Sequence, residues 1–433
     1  MQLKFARRLL RSPWPYLALS LGALVLVGLV AATYFYEHNS SVRFRVQEAW
    51  SSVVNLVDPQ ESVLPTPVIL AAAPTFPPTA TVTPTPTATV TEPGPTSTPA
   101  PTATPTASPT ALSGQVTLAG FKHEYQLFNN CGPASLSISL SYWGWAGEQR
   151  QAAAQLKPVQ DDKNVSPFEL YEYALTQGYD AYIRSNGDVD TLRRFIAAGY
   201  PVLVEKGFTC LEGERCSDWF GHYSVFVGYD DEREIFILQD SFRGPNITMS
   251  YADVLRDWRA FNYIYVVFFP LGPEHDAKVR ALLGEAADLG ANYRAALVRA
   301  QQEAAGSTGE AAAFAWFNVG TNLFYLQDYA GAAAAFDQSR QTGLPYRMLW
   351  YQFGPYTSYY YLSRYQDVIE LATFAIDSVN TVPGLEEAYY WRGLAYRAIG
   401  DFTPAAEDFR TALARNPNFE LAAVALQEMG VAP

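Results

Sequence analysis

A tract made almost entirely of Thr, Pro, Ala and Ser over residues 74–113 divides this chain into parts that must fold separately. Such a tract has too few large apolar side chains to build a core, so we expect a disordered, extended and partly polyproline stalk. At about 3.1 Å per residue, the stalk could hold a domain up to about 100 Å from its starting point. The 433 residues of the chain are enough for two or three domains in addition to this spacer.

The start of the chain predicts a membrane anchor. Residues 1–14 carry basic but no acidic side chains, and an uncharged, largely apolar run covers residues 15–36. A helix of about 20 apolar residues spans a bilayer. Because basic flanks stay in the cytoplasm, we expect a single-pass protein with a cytoplasmic N-terminus and extracytoplasmic domains. A cleaved signal peptide is the alternative, although its apolar core of about 7–15 residues would be shorter than this run.

Residues 37–73 are the predicted juxtamembrane segment between the anchor and the stalk. Their Val, Phe and Trp side chains between positions 42 and 57 could line one face of an amphipathic helix. Asp58 and Pro59 would end that helix.

A mixed α/β domain is predicted over residues 115–271. Four β-branched or aromatic runs indicate strands, at residues 201–205, 223–229, 234–239 and 263–269. Helices are expected over residues 167–177 and 190–198, each followed by a glycine. Helices that precede an antiparallel sheet are typical of the α+β class.

Cys131 has the sequence context of an activated thiol. Gly132 and Pro133 follow it, and proline is favoured in the first turn of a helix, where its missing N–H costs nothing. A cysteine at the positive end of a helix dipole has a lowered pKa and attacks as the thiolate. The next residues alternate between Ser and apolar residues, as in a strand, but Leu136 and Leu140 share one helical face. We therefore favour a helix that ends at Gly144.

A general base for this thiol can be selected by elimination among the 4 histidines. His222 follows the flexible Gly221 and opens a strongly predicted strand. Of the other histidines, His38 lies at the membrane boundary and His123 lies in an edge segment before the cysteine. His275 lies in the link to the helical region. A purely structural role for His222 is the alternative.

Two further side chains complete the predicted site. Asp240 ends the strand after the hairpin, so antiparallel pairing should return it to His222, where it would hold the productive tautomer. A capping acid at a strand end is the alternative for Asp240. The side-chain amide of Gln126 could join the backbone N–H of Cys131 as a donor to a tetrahedral oxyanion, or Gln126 could be a plain surface residue. No metal or cofactor is predicted.

The remaining two of the 3 cysteines enclose a short charged loop. In an oxidising compartment Cys210 and Cys216 could form a small-loop disulfide and leave Cys131 as the free thiol. Three unrelated buried thiols are the alternative. A zinc site has less support, because no further His or Cys lies at ligand spacing beside the pair.

Internal repeats characterise the Ala-rich helical region at residues 274–433. The clearest copy combines Gly393, Phe409 and Pro417 with aromatic and Ala positions in the tetratricopeptide pattern. Gly320 and Gly354 mark an earlier copy and an irregular middle copy. In such repeats, small residues lie where paired helices touch. A generic Ala-rich helical bundle is the alternative.

Three motifs together carry a family resemblance. They read Gln-x4-Cys-Gly-Pro-Ala-Ser from Gln126, Gly-His-Tyr-x-Val-x-Val-Gly-Tyr-Asp from Gly221 and Gln-Asp-Ser-Phe from Gln239. They resemble the bacteriocin-processing, or double-glycine-leader, cysteine peptidases of family thirty-nine, most closely the stand-alone "like" branch. The resemblance covers residues 115–271 and implies a papain-like α+β fold. It also implies that Cys131 is the nucleophile and that His222 is the general base and acid. Asp240 would be the orienting acid, and Gln126 would be the oxyanion donor.

The expected function follows from these parts. We expect a membrane-anchored, extracytoplasmic papain-like cysteine peptidase that hydrolyses peptide bonds, with tetratricopeptide repeats that dock a substrate or a protein partner. Two alternatives stay open: a catalytically inactive peptide-binding module, and a papain-like amidase or transpeptidase that acts on cell-wall peptides. The formal net charge of −13 argues against a nucleic-acid partner, since phosphate contacts need a basic surface.

Overall fold

The computed structural model describes residues 64, 67, 112–159, 161–208, 219–379 and 384–432. The predicted anchor, the juxtamembrane helix, nearly all of the stalk and the pair Cys210 and Cys216 lie outside these residues. Within the described ranges, no helix combines the length and the apolar character needed to cross a bilayer. The described residues form a mixed α/β unit followed by a helical unit.

One antiparallel sheet is the centre of the first unit. Among the described residues the sheet contains seven strands. Six of them lie side by side in the order β2-β7-β3-β4-β5-β6, and the seventh, β1, pairs with the C-terminal part of β4. The long central strand β4 is buried along almost its whole length, because it is paired on both edges and covered on both faces. The strands are β1 Gln115–Thr117, β2 Tyr179–Arg184, β3 Val202–Phe208, β4 Phe220–Asp230, β5 Ile235–Asp240, β6 Gly244–Ser250 and β7 Tyr265–Pro270.

Helices cover the two faces of this sheet. In its described part, this unit has five α-helices. The first three along the chain pack on one face of the sheet around the side chains of Tyr223 and Val225, and the last two pack on the opposite face around Phe226. The predicted helix ends at Gly178 and Gly199 are correct, and both glycines have a φ of +87°. The helices are α1 Cys131–Tyr142, α2 Gln149–Leu156, α3 Pro167–Thr176, α4 Val189–Ala197 and α5 Tyr251–Trp258.

The segment after Cys131 is a helix in spite of its alternating pattern. Every residue from 132 to 140 is buried, so both the serine and the apolar positions of α1 face protein. Ser135 Oγ donates to the carbonyl of Tyr223 at 3.2 Å, and Ser139 Oγ donates to the carbonyl of Ser135 at 2.9 Å. Small serines thus let neighbouring elements approach α1 closely from several sides, and tertiary packing outweighs the local period of two. Gly144 follows the helix with a φ of +91°.

The antiparallel α+β prediction is confirmed, but its order of helices first and sheet afterwards is wrong. Strand β1 precedes all these helices, and β2 lies between α3 and α4. The sequence pattern also missed β6, which begins with Gly-Pro-Asn and lies at the edge of the sheet with mostly exposed or half-buried residues. An edge strand of this kind buries too few side chains to show a clear alternation in its sequence.

The helical unit begins with a helix at Pro273, and its glycines explain the repeat pattern. A Cβ atom on Gly320 would lie 2.5 Å from a ring carbon of Phe336, and one on Gly393 would lie 2.7 Å from a ring carbon of Phe409. Paired helices can touch there only without a side chain. The helices are α6 Pro273–Leu283, α7 Leu289–Gly306, α8 Gly309–Tyr325, α9 Tyr329–Thr342, α10 Gly354–Tyr361, α11 Tyr365–Asp377, α12 Glu386–Ile399, α13 Phe402–Arg415 and α14 Glu420–Glu428.

The two units share a continuous hydrophobic core. Ala260 and Phe261, which follow α5, are buried in the same cluster as the aromatic residues of α9 and α10. Leu64 also belongs to this cluster, and its backbone N–H donates to the carbonyl of Leu344 at 3.2 Å. The helical unit is therefore packed against the sheet unit, not merely joined to it.

Candidate active site

The loop before α1 presents Cys131 at the positive end of that helix. Asn129 has a φ of +49°, in the left-handed region, which turns the chain sharply just before the helix begins. Asn130 is buried and precedes the first helical residue. Cys131 is half-buried as a residue and forms no disulfide. The backbone on the N-terminal side of Cys131 is therefore held by a buried residue and a sharp turn.

Two residues from the region of α2 hold this loop in place. Gln149 Oε1 accepts from the backbone N–H of Leu127 at 2.9 Å and from Asn130 Nδ2 at 2.8 Å. Lys157 Nζ donates to the carbonyl of Asn129 at 2.7 Å. Sequence reasoning missed both residues, since neither belongs to a recognisable motif and both act across more than 15 positions of chain. These contacts hold the loop that leads into Cys131.

His222 and Asp240 form a buried pair across β4 and β5. The Nε2 atom of His222 lies 3.1 Å from Oδ2 of Asp240, and both side chains are at most 1% exposed. Ser224 Oγ donates to the same carboxylate oxygen at 2.9 Å. The other oxygen, Oδ1, accepts from the backbone N–H groups of Phe242 and Arg243 at 2.9 and 2.8 Å. The carboxylate is thus fully hydrogen-bonded and cannot rotate away from the imidazole.

The charges of this pair shift both pKa values. Burial raises the pKa of Asp240, but the charge and hydrogen bond of His222, together with the charge of Lys206, bring it well below its usual value. Burial lowers the pKa of His222, but the Asp240 carboxylate and then Cys131 reverse this, so the net pKa is raised. Both shifts favour the charged forms, an imidazolium beside a carboxylate.

The same imidazole acts on the thiol of Cys131. Burial raises the pKa of Cys131, but hydrogen bonding to His222 and its positive charge outweigh this effect, and the net pKa is lowered. The backbone N–H of Tyr223 and the charge of Lys157 contribute in the same direction. Since Nε2 of His222 is engaged by Asp240, the Nδ1 atom is the ring nitrogen left for the sulfur.

Gln126 is oriented by the residue that follows Asp240. Its backbone N–H donates to the carbonyl of Ser241 at 2.8 Å, and its Oε1 accepts from Ser241 Oγ at 2.9 Å. With Oε1 facing Ser241, the NH₂ group of Gln126 points away from Ser241. The predicted oxyanion role of Gln126 stays a prediction.

The other described histidines contact different partners. His123 Nδ1 lies 3.1 Å from Oε1 of Gln239. His275 packs edge-on against Trp143 with the ring centroids 5.2 Å apart, and it interacts with the hydroxyl of Tyr200. Within the described part of the chain, no group of three or more His, Cys, Asp or Glu side chains is placed to bind a metal ion.

Two parts of the chain match models of known protein families. Residues 118–266 match the Peptidase_C39 like family, and residues 386–419 match the tetratricopeptide repeat. Among solved structures, the chain is similar to a protein from Bacillus anthracis described as a C39-like peptidase, with 17% identity over 36% of this chain and 98% of that chain and a TM-score of 0.29.

A second similar structure is the peptidase domain of Streptococcus ComA, described as a bifunctional ABC transporter of a quorum-sensing pathway. The identity is 19%, the alignment covers 35% of this chain and 99% of that chain, and the TM-score is 0.27. No curated protein sequence matches the chain. Over residues 118–266 the chain is therefore similar to the C39-like peptidase family, and residues 386–419 of its helical unit match the tetratricopeptide repeat.

Proposed function

We propose that the unit at residues 115–271 is an active cysteine peptidase that hydrolyses peptide bonds through Cys131, His222 and Asp240. The observation that carries this proposal is the buried, hydrogen-bonded pair of His222 and Asp240 beside a thiol whose pKa is lowered. Cysteine nucleophiles need a low pKa and an oriented base, and both conditions are met here.

The proposed reaction has two covalent steps. The Cys131 thiolate attacks the carbonyl carbon of the scissile peptide bond, and the oxyanion is stabilised by the backbone N–H of Cys131 and the amide NH₂ of Gln126. The C–N bond then breaks as the His222 imidazolium gives its proton to the leaving amine. In the second step, His222 takes a proton from water, the hydroxide attacks the thioester, and the thiolate leaves with release of the carboxylic acid product.

The test of this proposal is the pH dependence of Cys131 alkylation in the full chain, measured by mass spectrometry of the Cys131 peptide. We expect the midpoint of the alkylation rate to lie below about 8.5, the value of an ordinary cysteine. Running the assay with and without reductant separates Cys131 from Cys210 and Cys216. A midpoint at or above the ordinary value would contradict the peptidase proposal and favour a module that binds peptides without cleaving them.

The proposal includes an extracytoplasmic location and a docking role for the repeats. The basic residues 1–14, the apolar run at residues 15–36 and the stalk at residues 74–113 support an anchored catalytic unit displayed outside the cytoplasm. Tetratricopeptide repeats suggest protein–protein interaction, and a peptidase domain suggests a peptide substrate. The repeats would then recruit the substrate or a partner protein.

Protease accessibility on intact cells tests this location. We expect an added protease to remove an epitope placed after Pro433 while an epitope before Met1 survives, because basic flanks remain in the cytoplasm. A cytoplasmic marker protein should stay intact as the control. Survival of the C-terminal epitope, with loss only after the cells are lysed, would contradict the extracytoplasmic placement.

A further inference from the structure

The helical unit touches the strand that carries His222. Tyr351, just after the 3-10 turn Tyr346–Trp350, places its ring against the backbone of Gly221, the residue before His222. A Cβ atom on Gly221 would lie 3.1 and 3.2 Å from two ring carbons of Tyr351. The Cζ atom of Phe261 would lie closer, at 2.7 Å, so the rings of Phe261 and Tyr351 together occupy the space that a side chain at position 221 would fill.

This contact compensates for a local weakness of the sheet. Gly221 of β4 is paired with Gly207 of β3, so no side chains support each other across the two strands at this position. The side-chain rings of Trp219, Phe261 and Tyr351 cover the paired glycines instead. The centroids of these three rings are 5.8 to 6.2 Å apart from one another. Two rings of this aromatic trio come from the sheet unit, and the third comes from the helical unit.

The position of Tyr351 is itself well supported. Its backbone carbonyl accepts from Asn164 Nδ2 at 3.5 Å, and this asparagine precedes α3 of the sheet unit. Arg347, from the same turn as Tyr351, donates to the carbonyl of Trp219 at 3.5 Å. The turn is thus tied to two separate segments of the sheet unit.

The residue on the other side of His222 is held by the nucleophile helix. The carbonyl of Tyr223 accepts from Ser135 Oγ of α1 at 3.2 Å. A Cβ atom on Gly132 would lie 3.6 Å from a ring carbon of Tyr223. The backbone of His222 is therefore held by α1 through Tyr223 and by the helical unit through Gly221.

The electrostatic environment also links Tyr351 to the site. Burial raises the pKa of Tyr351, and the charge of Cys131 raises it further, whereas Arg347 and the backbone N–H of Gly221 oppose this rise.

We propose that Tyr351 is a positioning residue of the active site, contributed by the helical unit, which holds the Gly221–His222 backbone so that the imidazole meets the Cys131 thiol. This inference rests on the proposed peptidase function. It makes the turn before α10 a structural part of the catalytic centre, in addition to any docking role of the repeats.

The test compares Tyr351→Ala, Tyr351→Phe and Tyr351→Leu in the full chain, with Tyr361→Ala as a matched control. Tyr361 is a tyrosine of the same unit that is 61% exposed. The readout is the pH profile of Cys131 alkylation, followed on the Cys131 peptide by mass spectrometry. This readout needs no substrate, and Cys210 and Cys216 do not contribute to it.

For Tyr351→Ala and Tyr351→Leu we expect the alkylation midpoint to move towards that of a free cysteine. If the thiol pKa rises by about one unit, the alkylation rate at pH 7 falls about tenfold. Tyr351→Phe keeps the ring that covers Gly221 and should recover most of the wild-type rate. Tyr361→Ala should leave the profile unchanged.

Wild-type profiles in folded Tyr351→Ala or Tyr351→Leu would overturn the inference. It would also be overturned if both variants unfolded while Tyr361→Ala stayed folded, because Tyr351 would then be a general stability contact. The two hypotheses fail in different ways. If the wild-type thiol is activated but no peptide is cleaved, the peptidase proposal fails, and the comparison of variants still decides the role of Tyr351.

Discussion

Replacement of Cys131 by Ala should abolish peptide hydrolysis and all labelling of the Cys131 peptide by thiol-directed inhibitors. The substitution removes the only sulfur at the start of α1, and with it the covalent intermediate of the proposed reaction. In an enzyme whose catalytic residues act as a unit, loss of the nucleophile costs about 10⁶-fold in kcat. Transition-state binding by the oxyanion donors would leave only a small residual rate.

The measurement uses a peptide library and a panel of cell-wall stem peptides, with products identified by mass spectrometry. Ser139→Ala is the matched control, because Ser139 lies in the same buried helix and bonds only to the carbonyl of Ser135. We expect this control to retain activity within about twofold, since a single bond to the preceding turn contributes little. Hydrolysis by Cys131→Ala at a rate near that of the wild type would exclude the proposed nucleophile.

The substrate panel also distinguishes the proposed reaction from its nearest alternative. Cleavage of ordinary peptides would support the peptidase. Exclusive turnover of stem peptides, with amide cleavage or transfer to an amine, would support amidase or transpeptidase work by the same three residues. Absence of turnover on both panels, together with an ordinary thiol, would favour the peptide-binding module.

Replacement of Asp240 by Asn should reduce kcat by about 10²–10⁴-fold, because the imidazole would be held in the wrong tautomer. The Oδ1 position accepts from two backbone N–H groups, so the amide oxygen of Asn must occupy that position. Its NH₂ group would then face Nε2 of His222, where a carboxylate oxygen now accepts. The imidazole would respond by moving its proton to Nδ1, towards the thiol.

The direction of the pH effect follows from the same contacts. Asp240 raises the pKa of His222, so its replacement lowers that pKa and the imidazolium is lost at a lower pH. Because the charge of His222 lowers the pKa of Cys131, the thiol pKa should rise in the variant. We therefore expect the alkylation midpoint to shift to higher pH and the rate at pH 7 to fall.

Ser224→Ala is the control for this prediction. It removes a donor to the same oxygen of Asp240 but leaves the bond between His222 and Asp240 intact. Loss of one neutral donor to a carboxylate should weaken activity less than about tenfold. An Asp240→Asn enzyme with the wild-type pH profile would show that Asp240 does not orient the base.

Part of the fold could be read from local chemistry. Glycines at 178 and 199 end helices because they adopt positive φ, and β-branched runs such as that of β4 form strands wherever they can be buried. The repeat glycines were recognisable because their spacing reports contacts within one helical hairpin, as at Gly393 and Phe409. Strands β2 and β6 escaped prediction because pairing with a neighbouring strand defines them more than their own pattern does.

The candidate site was readable from the sequence: a cysteine at a helix start, one histidine on a buried strand and an acid at the end of the next strand. These assignments depend on short-range signals, namely a proline in a first turn, a two-residue alternation and a hairpin turn. The contacts that hold the loop of Cys131, through Gln149 and Lys157, and the contact of Tyr351 from the helical unit with the strand of His222 became visible in the folded chain alone. The physical reason is that such contacts join residues far apart in the chain, and no local pattern records which side chain will fill the space above a pair of glycines.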